Sequence, residues 1–246
     1  MNKERKPFNF KNFTINQEDA SLPVTTDACL FGALAEFEHP QKILDLGTGT
    51  GLLLHFMAQK YPEATLWGID FHNESVSCAR KNFHQNEKSL ELTNRYHLLE
   101  GDFFKPNSIL DFSNFDAIIS NPPFFENQLK SKNLVKSKAR HFENGEMRKF
   151  FILVNKLLSD DGTAVILLPT EQIIDLSNLN LFNIKTIFIH SNPSKKAHLQ
   201  ILFLRKTEFP KIEETMVIRD LSNQYTEQFC KKMSPFYLEQ AFSSNQ

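Results

Sequence analysis

Glycine is scarce in this chain, eight residues in all, yet Gly47, Gly49 and Gly51 fall together in Leu44-Asp-Leu-Gly-Thr-Gly-Thr-Gly51. Glycines at the end of a strand let the backbone turn sharply and let a ligand lie against it. A dinucleotide pyrophosphate needs G-x-G-x-x-G. Counting from Gly47, the sixth residue is Leu52, and from Gly49 it is Leu54, so the small-residue step for a pyrophosphate is missing. Asp45 lies inside this motif, and Asp70 closes the next apolar run, where a carboxylate can accept hydrogen bonds from both hydroxyls of a ribose. Gly101-Asp-Phe103 puts a third acid, Asp102, after a further run. Ser120-Asn-Pro-Pro-Phe-Phe125 completes the set. Its prolines fix φ and donate no hydrogen bond, which holds the turn rigid; Asn-Pro is also an ordinary turn initiator. No cluster has metal-ligand spacing, and His190 and His198 are singletons. No Ser-His-Asp or Cys-His context suggests a covalent nucleophile.

These residues need elements to hold them. Residues 42–46, 64–70, 96–99, 115–120 and 163–168 read as buried strands, and helical patterns at 51–60, after Asn73 and around 147–158 alternate with them. Asn73 is the expected cap of the second helix, with Val76, Ala79, Arg80 and Phe83 on one face. Such alternation predicts a parallel sheet with helices on both faces. Strands 184–190 and 199–204 are joined by Ser191-Asn-Pro-Ser-Lys-Lys196, too short for a helical crossover, and must pair antiparallel. Residues 27–37 and 225–233 read as flanking helices, and the chain from 207 as a charged linker. The expected fold is therefore α/β, a Rossmann-like sheet of seven strands, mostly parallel with an antiparallel last strand. In a doubly wound sheet strands one and four are neighbours, so the glycine turn and the Asn-Pro turn face one crevice.

Composition narrows the partners. With 28 basic and 29 acidic residues the formal charge is -1, so nucleic-acid binding would need a local patch. Between Glu126 and Glu143 lie Lys130, Lys132, Lys136, Lys138 and Arg140 with no acid among them, and Lys3, Arg5, Lys6 and Lys11 could add to that patch. Lys195 and Lys196 read as a solvated hairpin. The cysteines, Cys29, Cys78 and Cys230, are odd in number and far apart, which fits a reducing compartment. The 24 phenylalanines are read as core filling. No leader is expected, and no apolar run approaches the roughly 20 residues needed to span a bilayer. A cytoplasmic protein is expected.

The motif Asp45-Leu-Gly-Thr-Gly-Thr-Gly51 resembles the first motif of class I S-adenosylmethionine-dependent methyltransferases, whose ligand has no phosphates. Ser120-Asn-Pro-Pro-Phe-Phe125 resembles the [D/N/S]-P-P-[Y/F/W] motif of those acting on planar amino groups. An exocyclic amine is a poor nucleophile because its lone pair is delocalised. An Asn oxygen and a backbone carbonyl can accept its two hydrogens as charge develops on nitrogen, and the aromatic can stack on the flipped-out base. Phe8-Asn-Phe-Lys-Asn-Phe13, Thr25-Thr-Asp-Ala-Cys-Leu-Phe-Gly-Ala-Leu-Ala35, Met216-Val-Ile-Arg-Asp220, Tyr225-Thr-Glu227 and Phe236-Tyr-Leu238 resemble the bacterial tRNA(Val) adenine-N6 methyltransferases, which modify the adenine 3′ of the anticodon at position 37. The likeness runs from about residue 8 to 242. That family often has Tyr where this chain has Phe124.

The resemblance implies one methyltransferase domain over 1–246, with an N-terminal extension (1–41), a Rossmann-like core (42–206) and a C-terminal extension (207–246). It implies S-adenosyl-L-methionine as cofactor, held by Thr26, Asp45, Gly47, Thr48, Gly49, Gly51, Asp70, Asp102, Phe103 and Asn121. Catalysis would fall to Asn121, Pro122, Pro123 and Phe124, and RNA binding to Lys130, Lys132, Lys136, Lys138 and Arg140. The partner would be tRNA, with no membrane and no obligate protein partner. The same Asn-Pro-Pro-Phe turn would also serve N5-glutamine methylation of a protein, or methylation of another RNA base such as a ribosomal RNA adenine or guanine. A non-enzymatic RNA-binding module with a degenerate cofactor site is disfavoured by the intact Asp45, Gly47, Gly49, Asp70 and Asn121.

Overall fold

The computed structural model describes residues 5–18, 23–105, 114–122, 138–172 and 174–243, with the backbone alone at 138–144 and 243. A two-stranded antiparallel hairpin, β1 (Phe8–Asn9) and β2 (Thr14–Ile15), precedes helix α1 (Thr26–Leu34). The alternating core follows: β3 (Lys42–Leu46), α2 (Leu52–Lys60), β4 (Thr65–Asp70), α3 (Asn73–Gln85), β5 (Tyr96–Glu100), β6 (Phe115–Ser120), α4 (Lys138–Leu157) and β7 (Leu158–Pro169). Strands β8 (Phe182–His190), β9 (Leu199–Arg205) and β10 (Ile212–Val217) and helices α5 (Glu227–Met233) and α6 (Gln240–Ser243) complete the chain.

Strands β3 to β10 form one sheet in the order β10-β8-β9-β7-β6-β3-β4-β5. All pairings are parallel except those of β9 with β7 and β8. The chain winds outward from β3 through β4 to β5, then returns to β6 on the other side of β3. That reversal is the topological switch point, and it opens the crevice between the carboxyl ends of β3 and β6. Both strands are covered on two faces, which is why their residues are almost continuously apolar. Helices α1, α2 and α3 pack one face with Phe31, Phe56 and Phe83, and α4 packs the other with Phe150, Phe151 and Val154.

Several elements depart from expectation. The charged stretch expected as a linker contains β10, an eighth strand that pairs parallel to β8 at the sheet edge. Its Glu213 and Glu214 are matched by Lys211 and Lys185 at 2.6 and 2.8 Å, and charge on an edge strand blunts further pairing. Helix α4 begins at Lys138, well before Met147, so Lys138 and Arg140 lie in its first turn. Apolar periodicity starts only at Met147, so it could not reveal that early turn. The cap position of α3 is His72, without a side-chain bond, and the Asn73 amide donates to Glu100 Oε2 at 2.6 Å instead. Helix α1 stops at Leu34, where the half-buried Lys60 Nζ donates to the carbonyls of Ala33 and Ala35 and caps the end.

Candidate active site

The glycine turn is pinned from beneath by β4. The amides of Gly47 and Thr48 both donate to Ile69 O, at 2.9 and 3.0 Å, and Gly51 N donates to Thr48 O at 2.8 Å. Gly47, Gly49 and Gly51 have φ of 83°, 53° and 78°, the left-handed region that an L side chain enters at a cost. A Cβ added at Gly49 would meet nothing within 4 Å, so this face of the turn is open to a ligand. Gly68, unremarked in the sequence, is the opposite case. A Cβ there would stand 2.9 Å from Thr48 Oγ1 and Leu98 Cδ2, so its absence lets the turn settle on β4. A glycine inside a strand was the available signal.

Two carboxylates flank the turn. Asp70 accepts from Gly49 N through Oδ2 and from His72 N through Oδ1, each at 2.9 Å. Each oxygen keeps a further lone pair, so capacity for ribose hydroxyls remains. Asp45 is fully buried, and neither oxygen has a hydrogen-bond partner in good geometry. Burial pushes its carboxyl up to about 7, opposed by the nearby Thr48 hydroxyl and reinforced by the charge of Asp70. A buried, unpartnered carboxylate is costly, and such groups gather at functional sites.

The acceptor side is tied to the same point. Ser120 Oγ donates to Leu46 O at 2.6 Å, locking the end of β6 to the end of β3. Asn121 therefore follows at the end of β6 next to the strand that bears the glycine turn; it is half-buried and Pro122 is buried. Pro123, Phe124, Lys130, Lys132 and Lys136 lie outside the described residues, as do the side chains of Lys138 and Arg140. At the end of β5, Gly101 N donates to Asp70 O at 2.9 Å, which brings Asp102 to the same edge; its Oδ1 accepts from Phe104 N at 3.0 Å. Phe103 is half-buried, its ring 6.4 Å from that of Phe150. Thr26 opens α1, capped by Thr25 Oγ1, which accepts from Ala28 N at 3.2 Å. Asp27 lies 3.3 Å from His198 Nε2, and this contact draws the start of α1 to the carboxyl end of β7, beside which β9 begins. Hydrogen bonding to Asp27 raises the His198 pKa against the effect of burial.

Two buried side chains that the sequence reading passed over hold the back of the turn. His55 Nδ1 lies 2.7 Å from Gly51 O, and since a carbonyl only accepts, Nδ1 carries the proton. Burial lowers this imidazole to about 4, with the Gly51 carbonyl opposing. Asn82 Nδ2 donates to Thr50 O at 2.9 Å. Neither carries a periodic or motif signal. Among the described residues no group of His, Cys, Asp and Glu is arranged to hold a metal, and no helix is long and apolar enough to cross a membrane.

The glycine turn, the two flanking acids and the Asn-Pro turn converge on the switch point of a doubly wound sheet, and together they define a Rossmann-like methyltransferase of class I. The fold matches that of a predicted O-methyltransferase from Agrobacterium tumefaciens with a TM-score of 0.65 at 15% identity, covering 85% of this chain and 95% of that one. Residues 26–159 match the methyltransferase small domain. Over 239 residues the chain is 32% identical to a Vibrio vulnificus (strain YJ016) protein named tRNA1(Val) (adenine(37)-N6)-methyltransferase, covering 95% of this chain and 96% of that protein. Relatives of the same name from Shewanella frigidimarina (31% identical; 94% of this chain, 99% of the relative) and Porphyromonas gingivalis strain ATCC 33277 (28%; 94% of each) are equally co-extensive. The chain belongs to the methyltransferase small domain family, and within it to the group of bacterial proteins bearing that name.

Proposed function

We propose that this protein transfers a methyl group from S-adenosyl-L-methionine to N6 of the adenine at position 37 of tRNA(Val), in the cytoplasm. The observation that carries the reading is the lock between Ser120 and Leu46, which sets an Asn-Pro turn against a glycine turn in a chain co-extensive with relatives of that name. The residues present fit the cofactor: Gly49 leaves an open face, Asp70 retains acceptor capacity, and Asp45 is a buried carboxylate without a partner.

The bound cofactor supplies an electrophilic methyl on a sulfonium. The chain's part is binding, positioning and electrostatics. Gly47, Thr48, Gly49 and Gly51 present backbone to the ligand, with Asp45 beneath them and Thr26 at the start of α1. Asp70 accepts from the ribose hydroxyls, and Asp102 and Phe103 meet the adenine of the cofactor. The Asn121 side-chain oxygen and a carbonyl of the turn accept the two hydrogens of the target amine. That favours positive charge on nitrogen during transfer, and the proton leaves afterwards without a dedicated base. Pro122 and Pro123 keep the turn rigid, and Phe124 stacks on the target base. Lys130, Lys132, Lys136, Lys138 and Arg140 meet the RNA backbone, and the extensions 1–41 and 207–246 act as parts of the same domain.

Incubation with isotopically labelled S-adenosylmethionine and bulk tRNA, followed by nucleoside mapping, tests the reading. N6-methyladenosine at position 37 of tRNA(Val) is the expected product. Label in protein glutamine, or in ribosomal RNA alone, rejects it.

A further inference from the structure

The N-terminal segment and the glycine turn share one side chain. Thr14 N donates to Asn86 Oδ1 at 2.9 Å, and Thr14 O accepts from Asn86 Nδ2 at 2.8 Å. Two residues on, Asn16 N donates to Asn82 Oδ1 at 2.8 Å, and Asn16 O accepts from Asn82 Nδ2 at 3.0 Å. Alternate residues of an extended chain turn their N–H and C=O to the same side and lie roughly 6.7 Å apart. Positions four apart on a helix stack on one face about 6 Å apart. The amides of Asn82, in α3, and Asn86, at its C-cap, thus take the place of a neighbouring strand for residues 14 and 16. Both are buried, at 0% and 3% exposure.

Asn82 does more than clamp the segment. Its second amide hydrogen goes to Thr50 O at 2.9 Å, within the glycine turn and one residue before Gly51 at φ 78°. The oxygen is held by Asn16 N, and the two hydrogens by Asn16 O and Thr50 O, so the amide has one orientation. If residues 14–16 leave, a buried oxygen and one hydrogen lose their partners, and the amide is free to turn away from Thr50.

We propose that Asn82 is a positioning residue through which the docked N-terminal segment sets the affinity of the glycine turn for its cofactor; this rests on the turn binding S-adenosylmethionine. Linkage is reciprocal, so the cofactor in turn holds residues 14–16 in place.

The test titrates S-adenosylhomocysteine into the full-length protein by calorimetry and follows hydrogen exchange at Asn16. Asn82→Ala should weaken binding about tenfold or more, with kcat at saturating cofactor changed less than about threefold. Asn86→Ala loosens Thr14 but leaves Thr50 held, and should cost less than about threefold in affinity. In the wild type, S-adenosylhomocysteine should slow exchange of the Asn16 amide. If Asn82→Ala fails to fold, Asn16→Pro removes the N–H on Asn82 Oδ1, together with the Asn16 side-chain bond to Gln85, and should weaken binding severalfold. Wild-type affinity in the foldable variant overturns the proposal, and so does an equal loss in Asn86→Ala, which would signal general loosening. A wild-type protein that binds no S-adenosylhomocysteine overturns the cofactor reading itself, a result distinct from either.

Discussion

Asn121 follows β6 and Asp70 ends β4, on either side of β3 at the carboxyl edge of the sheet, and they should fail in different ways. Asn121 offers an acceptor that matters most as charge develops on the amine. Asn121→Ala should therefore lower kcat by about 10² or more at saturating substrates, with S-adenosylmethionine affinity nearly unchanged. Near-normal turnover in steady-state kinetics would remove it from the chemistry. In its proposed role Asp70 would bind the ribose equally before and during transfer, so Asp70→Ala should raise the cofactor Kd while kcat at saturation falls far less. Its loss also frees the amides of Gly49 and His72, so the turn itself should loosen. Calorimetry with unchanged affinity would exclude the assigned role. These residue types were legible in the sequence because each stands at a strand end within a motif.

Helix α2 starts at a glycine with no side-chain cap, and its first turn is secured from within by His55. That arrangement has a consequence for pH. The buried imidazole titrates at about 4, below its usual 6.5, so the folded state binds fewer protons than the unfolded state between those values. The stability it contributes is complete above pH 6.5 and is lost as pH falls towards 4. The difference amounts to about 3 kcal/mol. Urea unfolding at pH 7 and pH 4.5 should show a smaller acid loss in His55→Gln than in the wild type; identical losses would assign the effect to other groups. Elements also mark where sequence reading stopped short. Strand β10 has four exposed residues at its start and looks like a linker, because an edge strand is fixed by backbone pairing rather than by an apolar face. Strand β7 begins at Leu158, which pairs with Phe115, five residues before the expected start; after a register shift, regular pairing with β6 runs on from Thr163.

At the scale of the molecule, net charge near zero means that RNA must be held locally. The basic stretch 130–140 begins nine residues after Asn121 in the chain, and each single-strand phosphate it neutralises should contribute about −0.7 to the slope of log affinity against log salt. Replacing Lys130, Lys132, Lys136 and Lys138 by Ser should flatten that slope for tRNA and leave S-adenosylhomocysteine binding intact. An unchanged slope would move the RNA path elsewhere. Lys195 and Lys196 stand at the carboxyl edge that holds Asn121, because β8 runs in the same direction as β7 and their turn follows it. That placement is invisible in a sequence where the turn reads as an ordinary hairpin. By itself the sequence determined the alternation of strand and helix, the left-handed glycine turn, the acids at strand ends and the Asn-Pro turn. Each depends on backbone preference or on which face is buried, and both are written locally. Only the tertiary structure decided that Ser120 bonds to Leu46 and that Asn82 joins residue 16 to residue 50. Those contacts link positions far apart in the chain through single polar side chains. Such side chains repeat with no period, and nothing short of the folded chain brings their partners within reach.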